Sequence, residues 1–168
     1  MNKDEIELRT LTDLAFIVQD YETVISNIGY ALEDFKRCKA FKFSAHCMEL
    51  ELYAKMAYDR DYLIRNFKDF VNAADQIFYT YHKKATRSVV DLVKFSLYLT
   101  EIYQELGKNK EASDVFIKLA SIYPQLFLKA MLYEQAAYEF LMMNQFRKFS
   151  FYMQQAANCY GANNMKEY

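Results

Sequence analysis

LYLTEIYQELGKNKEASDVFIKLASIYP, Leu97 to Pro124, reads as two helices joined by a tight polar turn. Leu99, Tyr103 and Phe116 are large apolar residues at helical spacing, and Ala112 is small, so that two backbones can approach there. Gly107 is placed to close the first helix and Pro124 to start the next. Lys108, Asn109 and Lys110 make a connection as short as antiparallel helical neighbours require.

Counted in the roughly 34-residue register of the tetratricopeptide repeat (TPR), Leu99, Tyr103, Ala112, Phe116 and Pro124 fall on signature positions. Thr100 and Leu119 stand where a small residue is usual. Such a unit cannot bury its own apolar face, so it needs stacked neighbours. Two weaker echoes flank it. One is Ala15, Tyr21, Val24, Ile28 and Ala31 with Gln19-Asp20 as the turn; the other is Phe140, Asn144, Phe149, Met153 and Ala156. Any antiparallel pair seamed with aromatics and alanines produces similar spacing, and the fold is all-α on either reading.

Composition agrees. Three glycines and one proline are too few for the turns of a sandwich or barrel, which leaves long helices with short connections. Eight are expected, at about 4–17, 20–36, 39–58, 61–82, 87–106, 108–121, 125–143 and 145–160. In the fourth, Leu63, Phe67, Phe70, Ala74, Ile77 and Tyr81 line one face, directed at the third and fifth helices. Fifteen Tyr and fourteen Phe suit helix seams, where a ring buries much area. The expected architecture is one TPR-like α-solenoid of about eight antiparallel helices over residues 1–168. Ala15, Ala45, Ala112, Ala136 and Ala156 are its close-contact positions, and Tyr21, Tyr103, Phe116, Phe140 and Phe149 fill its seams. The last helix carries Phe149, Met153, Ala156, Ala157 and Tyr160, and nothing after Asn163-Asn164 resembles a polar cap. The expectation is a fragment or short homologue of a longer solenoid, or an end that docks on another subunit.

Charge excludes some functions. With 21 basic and 22 acidic side chains, the net charge of −1 creates no global field toward nucleic acid or an anionic membrane. No run approaches the ~18 apolar residues of a membrane span. MNKDEIELRT is too acidic and polar for a leader, so a cytosolic chain is expected. Cys38, Cys47 and Cys159 have no CxxC spacing and read as reduced core thiols rather than a disulfide framework or zinc site.

Catalytic chemistry finds little footing. His46 adjoins Cys47, but neighbouring residues on a helix point apart and form neither a metal pair nor a dyad. His82, Lys83 and Lys84 read as cations complementing the end of the fourth helix. Gly29, Gly107 and Gly161 stand too far apart for a phosphate loop. Asp59, Asp61 and Asp69, with Arg60 and Arg65 between them, read as a solvated capping cluster rather than a cation site. No catalytic, cofactor-binding or metal residue is expected, and the chain is read as non-enzymatic.

Two binding patterns stand out. Lys36, Arg37, Lys39 and Lys42 interleave with Phe35, Phe41 and Phe43, a mixture that suits base stacking or a membrane surface. Helix ends and exposed helix faces commonly carry such lysines, and that reading is preferred. The inner groove of a TPR array takes a peptide carboxylate on Lys, Arg and Asn, but Leu97, Leu99 and Tyr103 leave Lys94 as the obvious cation there. A stand-alone TPR adaptor for a client peptide, using Lys94 or Lys129, is the alternative function.

Three segments carry a more specific pattern. Leu14-Ala15-Phe16-Ile17-Val18-Gln19-Asp20-Tyr21 looks like an "AF-x-x-x-DY" helix and turn, followed by Glu33-Asp34-Phe35 in place of a later "RDF". Ala40-Phe41-Lys42-Phe43-Ser44-Ala45 with Met48-Glu49 matches "AWKYYA…E", Phe41 replacing the tryptophan. Leu132-Tyr133-Glu134-Gln135-Ala136-Ala137 with Phe140, then Arg147-Lys148-Phe149 with Phe151 and Met153, matches "LLEQAA-x-x-F" and "RKYAFHM". In order and spacing the chain resembles the TRAPP complex subunit 8 family, the TRAPP III-specific large subunits, in the helical region of those much longer proteins. Residues 57 to 95 carry no matching motif.

The resemblance implies a scaffold in a multisubunit tether of ER-to-Golgi transport and autophagy that activates a Rab-family GTPase by nucleotide exchange. The exchange site belongs to small core subunits in that family, and the large solenoid arms set membrane targeting. Expected partners are therefore other TRAPP subunits and, indirectly, the GTPase, with no nucleic acid and with direct membrane contact left open. The expected location is the cytoplasm, peripheral to Golgi or pre-autophagosomal membranes. Glu134, Gln135, Arg147 and Lys148 are polar motif positions, with interhelical pairing as the alternative to partner contact.

Overall fold

A computed structural model describes residues 3–59, 61–85 and 89–162. Arg60, residues 87 and 88 at the head of the fifth expected helix, and Asn163-Asn164 lie outside them. The described residues form an all-α fold: α1 (Lys3–Ile17), α2 (Tyr21–Arg37), α3 (Phe41–Tyr58), α4 (Tyr62–Arg65), α5 (Phe67–Tyr79), a π-turn (Thr80–Lys84), α6 (Val89–Glu105), α7 (Asn109–Ile122), α8 (Leu126–Met142) and α9 (Phe146–Ala162). Helices pack in adjacent pairs, as in an α-solenoid.

The fourth expected helix is the exception, because 61–82 is not continuous. Asn66 leaves the helical region at φ −123°, ψ 32°, and its carbonyl accepts the Phe70 N–H at 2.9 Å to begin α5. A short amide side chain favours such a break, since it competes for nearby backbone groups. Leu63 and Phe67, beside the break, are half-buried, whereas Phe70, Ala74, Ile77 and Tyr81 form the buried stripe. At the far end the helix widens: Ala85 N–H donates to the Thr80 carbonyl at 2.8 Å, five residues back, and the Thr80 hydroxyl donates to the Gln76 carbonyl at 2.8 Å.

Pro124 also differs from expectation. It does not open α8, which starts at Leu126 after the cap residue Gln125. Instead it ends α7 by forcing Tyr123, the residue before it, into extended backbone at φ −83°, ψ 126°.

Four turns share one geometry. Gln19 (φ 65°), Lys39 (φ 55°), Gly107 (φ 66°) and Asn144 (φ 57°) are left-handed residues just past α1, α2, α6 and α8. At each, the next N–H reaches back five residues: Asp20 to Ala15 at 2.9 Å, Ala40 to Phe35 at 2.9 Å, Lys108 to Tyr103 at 2.7 Å and Gln145 to Phe140 at 2.8 Å. This paired-bond cap satisfies the last carbonyls and reverses the chain into the following helix. Gly107 thus closes its helix as the sequence predicts. After Gln19, the Asp20 carboxylate caps α2 by accepting the Thr23 N–H at 3.2 Å.

The helices cluster into two compact units, Met1–Leu92 and Val93–Tyr168. In the first, α3 is central, with α2 against it and α4, α5 and the π-turn also in contact. Ile28, Ala31 and Phe35 of α2 meet Cys47 of α3, edged by Leu8, Leu32, Ala40 and Leu50. Ala15, Val24 and Ala54 form an adjoining cluster with Phe16, Tyr21, Ile25 and Leu50. Alanines at these contacts let the backbones approach.

In the second unit α8 lies between α7 and α9. Burial on both flanks accounts for Ala130, Leu132, Ala136, Ala137 and Phe140, but α8 also carries Phe127, Met131, Tyr138 and Met142 as exposed apolar residues. Ala112, Leu119 and Ala120 of α7 and Ala130, Ala136 and Ala137 of α8 are fully buried. Glu139 is buried among them, and its carboxylate accepts a hydrogen bond from Gln104 Nε2 at 2.5 Å. Removing that donor would leave a buried acceptor unsatisfied, which typically costs about 1–3 kcal/mol.

Candidate functional site

The hairpin of α8 and α9 carries the polar motif positions. Phe140, buried, stacks on Tyr152 at 5.3 Å between ring centroids and 13° between planes. Tyr152 also meets Tyr133 at 5.9 Å and the edge of Phe151 at 5.1 Å. Above this ladder the Lys148 ammonium lies 4.9 Å from the centre of the Phe140 ring. Tyr160 donates to Glu134 Oε2 at 2.9 Å and stands edge-on to Phe127 at 6.1 Å. Burial, together with the hydrogen bond to and charge of Glu134, pushes the Tyr160 phenol up to about 12, so it stays a donor at neutral pH.

The four polar positions therefore divide. Glu134 and Lys148 engage groups within the hairpin, whereas Gln135 and Arg147 are exposed side chains available to a partner. Ala136 and Ala156 are buried in the seam and Phe149 is half-buried. Phe127, Met131, Tyr138, Met142, Phe146 and Phe151 are exposed apolar residues of the same two helices. One hollow of about 210 Å³ is lined by Glu134, Met153, Ala156, Ala157 and Tyr160. A shallower one of about 480 Å³ lies among Phe146, Arg147, Ser150, Phe151 and Gln154. Apolar side chains grouped this densely and rimmed by polar ones suit a protein interface.

Elsewhere the expected packing positions Ala45, Tyr103, Ala112 and Phe116 are buried, as is Ala15, while Tyr21 is half-buried with its ring 5.6 Å from Phe16. Lys94 is exposed, but the Lys129 ammonium rests 5.8 Å over Tyr133. Phe35 is buried and stacked on Phe43 at 5.4 Å, which removes it from any base-stacking role. Asp59 accepts the Asp61 N–H at 3.0 Å and pairs with Arg65, while the N-cap residue Asp61 makes no side-chain cap to α4. Among the described residues no three His, Cys, Asp or Glu are grouped to hold a metal, and no helix is long and apolar enough to cross a membrane.

The cysteines and His82 require correction. Cys47 is a buried thiol, pushed up by its burial and receiving Arg9 Nη1 at 3.5 Å, but Cys38 is exposed at the end of α2 and Cys159 only half-buried. All three are free. Burial, then the neighbouring Lys83, pushes His82 below its ordinary value, which weakens it as a cation beside Lys83 and Lys84.

A polar network in the first unit escapes sequence reasoning. Tyr81 of the π-turn donates to Glu49 Oε2 at 2.6 Å, and Tyr53 donates to Glu49 Oε1 at 2.7 Å. His46 Nδ1 lies 3.3 Å from the Tyr81 oxygen, and its Nε2 lies 3.8 Å from Asp91, which also takes Lys42 at 3.0 Å. Burial, then the Glu49 hydrogen bond, raises the Tyr81 phenol well above its usual value. Burial lowers His46, with Asp91 and Glu49 opposing. The network staples the π-turn and the first residues of α6 to α3. Its one sequence signal is that His46, Glu49 and Tyr53 recur at helical spacing on α3.

Over 151 residues, 89% of its length, the chain is 29% identical to Trafficking protein particle complex subunit 8 of Homo sapiens. It spans 10% of that protein's length. No protein-family model matches the chain, and no solved structure does.

Proposed function

We propose that this chain is a non-enzymatic α-solenoid scaffold of a TRAPP III-like vesicle-tethering and Rab nucleotide-exchange complex, acting in ER-to-Golgi traffic and autophagy. The similarity to a human trafficking-particle subunit across 89% of the chain carries this reading. The α8–α9 hairpin supports it, because exposed Phe146 and Phe151 beside Arg147 and Gln135 offer a protein rather than a small molecule a surface to cover. On this reading the chain contacts other TRAPP subunits directly and the GTPase only through them. It reaches Golgi or pre-autophagosomal membranes as part of the assembly.

The test is affinity purification of the tagged chain from its source cell, with mass spectrometry of what accompanies it. TRAPP core subunits in stoichiometric amounts are expected. Their absence from an intact, folded bait would overturn the proposal.

A further inference from the structure

In the first unit, a cavity of about 400 Å³ is lined by Lys39, Lys42 and Lys84 together with Ala40, Phe41, Phe43 and Ala85. The Lys84 ammonium sits 5.6 Å from the centres of both the Phe41 and Tyr79 rings. Lys42 is paired with Asp91, but among the described residues no carboxylate pairs with Lys39 or Lys84. Lys39 is the left-handed turn residue, which projects it from the reversal between α2 and α3. The same cavity lies at the start of α3, where Ala40 supplies no side-chain cap for the first-turn N–H groups. Three ammonium groups and the positive end of an 18-residue helix thus surround an aromatic, alanine-lined hollow.

We infer that this cavity docks an acidic amphipathic peptide segment of a partner protein. Carboxylates meet Lys39, Lys84 and the α3 N-terminus, and an apolar side chain enters between Phe41 and Phe43. Shape and charge decide among occupants. Three lysines, one of them already paired with Asp91, on a chain of net charge −1 fall short of both a polybasic lipid-binding cluster and a nucleic-acid footprint. Free phosphate would use only the ammonium and N–H half of the cavity and leave Phe41 and Phe43 uncovered, whereas an acidic amphipathic peptide uses both halves. The inference does not depend on the TRAPP reading and survives its failure.

Fluorescence anisotropy of the full chain tests it, with a fluorescein-labelled peptide in which glutamates alternate with leucine and phenylalanine. Saturable binding that weakens with added salt is expected. Lys39→Glu with Lys84→Glu should weaken it about tenfold or more, while Lys68→Glu with Lys110→Glu, both exposed and outside the cavity, leaves it within about twofold, circular dichroism confirming the fold of both. Replacing the leucines and phenylalanines of the peptide by serine should also abolish binding. Equal binding of a glutamine-for-glutamate peptide, or indifference to the Lys39 and Lys84 reversals, would overturn the inference. So would phosphatidylserine vesicles or inorganic phosphate binding through these lysines when the peptide does not.

Discussion

Replacing Phe140 by leucine isolates what its ring contributes to the α8–α9 seam. Leucine keeps most of the buried apolar area but loses the near-parallel stack on Tyr152 and the face beneath Lys148. An aromatic pair contributes about 0.5–1.5 kcal/mol beyond area burial. A cation over a ring contributes about 0.5 kcal/mol when the cation is exposed, as Lys148 is. Phe140→Leu should therefore destabilise by about 1–2 kcal/mol, and Phe140→Ala, which also opens a cavity, by about 3–5 kcal/mol. Urea unfolding reads both as lowered midpoints at unchanged slope. A cycle with Lys148→Gln should return a coupling of about 0.5 kcal/mol. A Phe140→Leu midpoint equal to that of the parent chain would refute the stacked ladder, and zero coupling would refute the role given to Lys148.

Ala112→Leu should overpack a fully buried position of α7 and cost about 1–3 kcal/mol; an unchanged unfolding midpoint would refute the register read from Leu97 to Pro124. Gly107→Ala meets open space around the added carbon but retains φ 66°, so a loss of about 1–2 kcal/mol from backbone strain alone is expected in the same assay. The lowered His46 predicts a pH limb: neutral His46 contributes stability above its unfolded value of 6.5, and that contribution is lost as pH falls through the lower folded value. His46→Gln should flatten the decline of the midpoint just below pH 6.5, and an identical slope in both proteins would place the titration elsewhere.

Much of this architecture is written in local signals. Gly107 marks a left-handed cap because glycine adopts positive φ without strain, and the spacing of Tyr103, Ala112 and Phe116 marks the seam. The equivalent caps at Gln19 and Lys39 use residues that rarely adopt that conformation, and only Asn144 is of a type that favours it, so composition hides most of a turn geometry that recurs four times. The break at Asn66 and the π-turn at Thr80 are also illegible from periodicity, which continues through them from Leu63 to Tyr81. The resemblance to a family singled out the α8–α9 motif positions, but not which of them face outward. That division rests on Tyr160 reaching Glu134, 26 residues away, and on Lys148 lying over Phe140. The His46 network is hidden for the same reason, since Tyr81 is 35 residues from the histidine it faces.

The central claim is that the exposed face of the α8–α9 hairpin holds this chain in a TRAPP-like assembly. Quantitative co-purification of parent and Phe146→Glu/Phe151→Glu baits from the source cell tests it most directly, because both residues are exposed and the Phe140–Tyr152 stack loses only the edge contact of Phe151. The account predicts TRAPP subunits with the parent bait and their loss with the variant, at equal bait yield and equal helicity. Undiminished recovery with the variant would contradict the assignment of this face, and recovery of no TRAPP subunit with either bait would contradict the assembly itself.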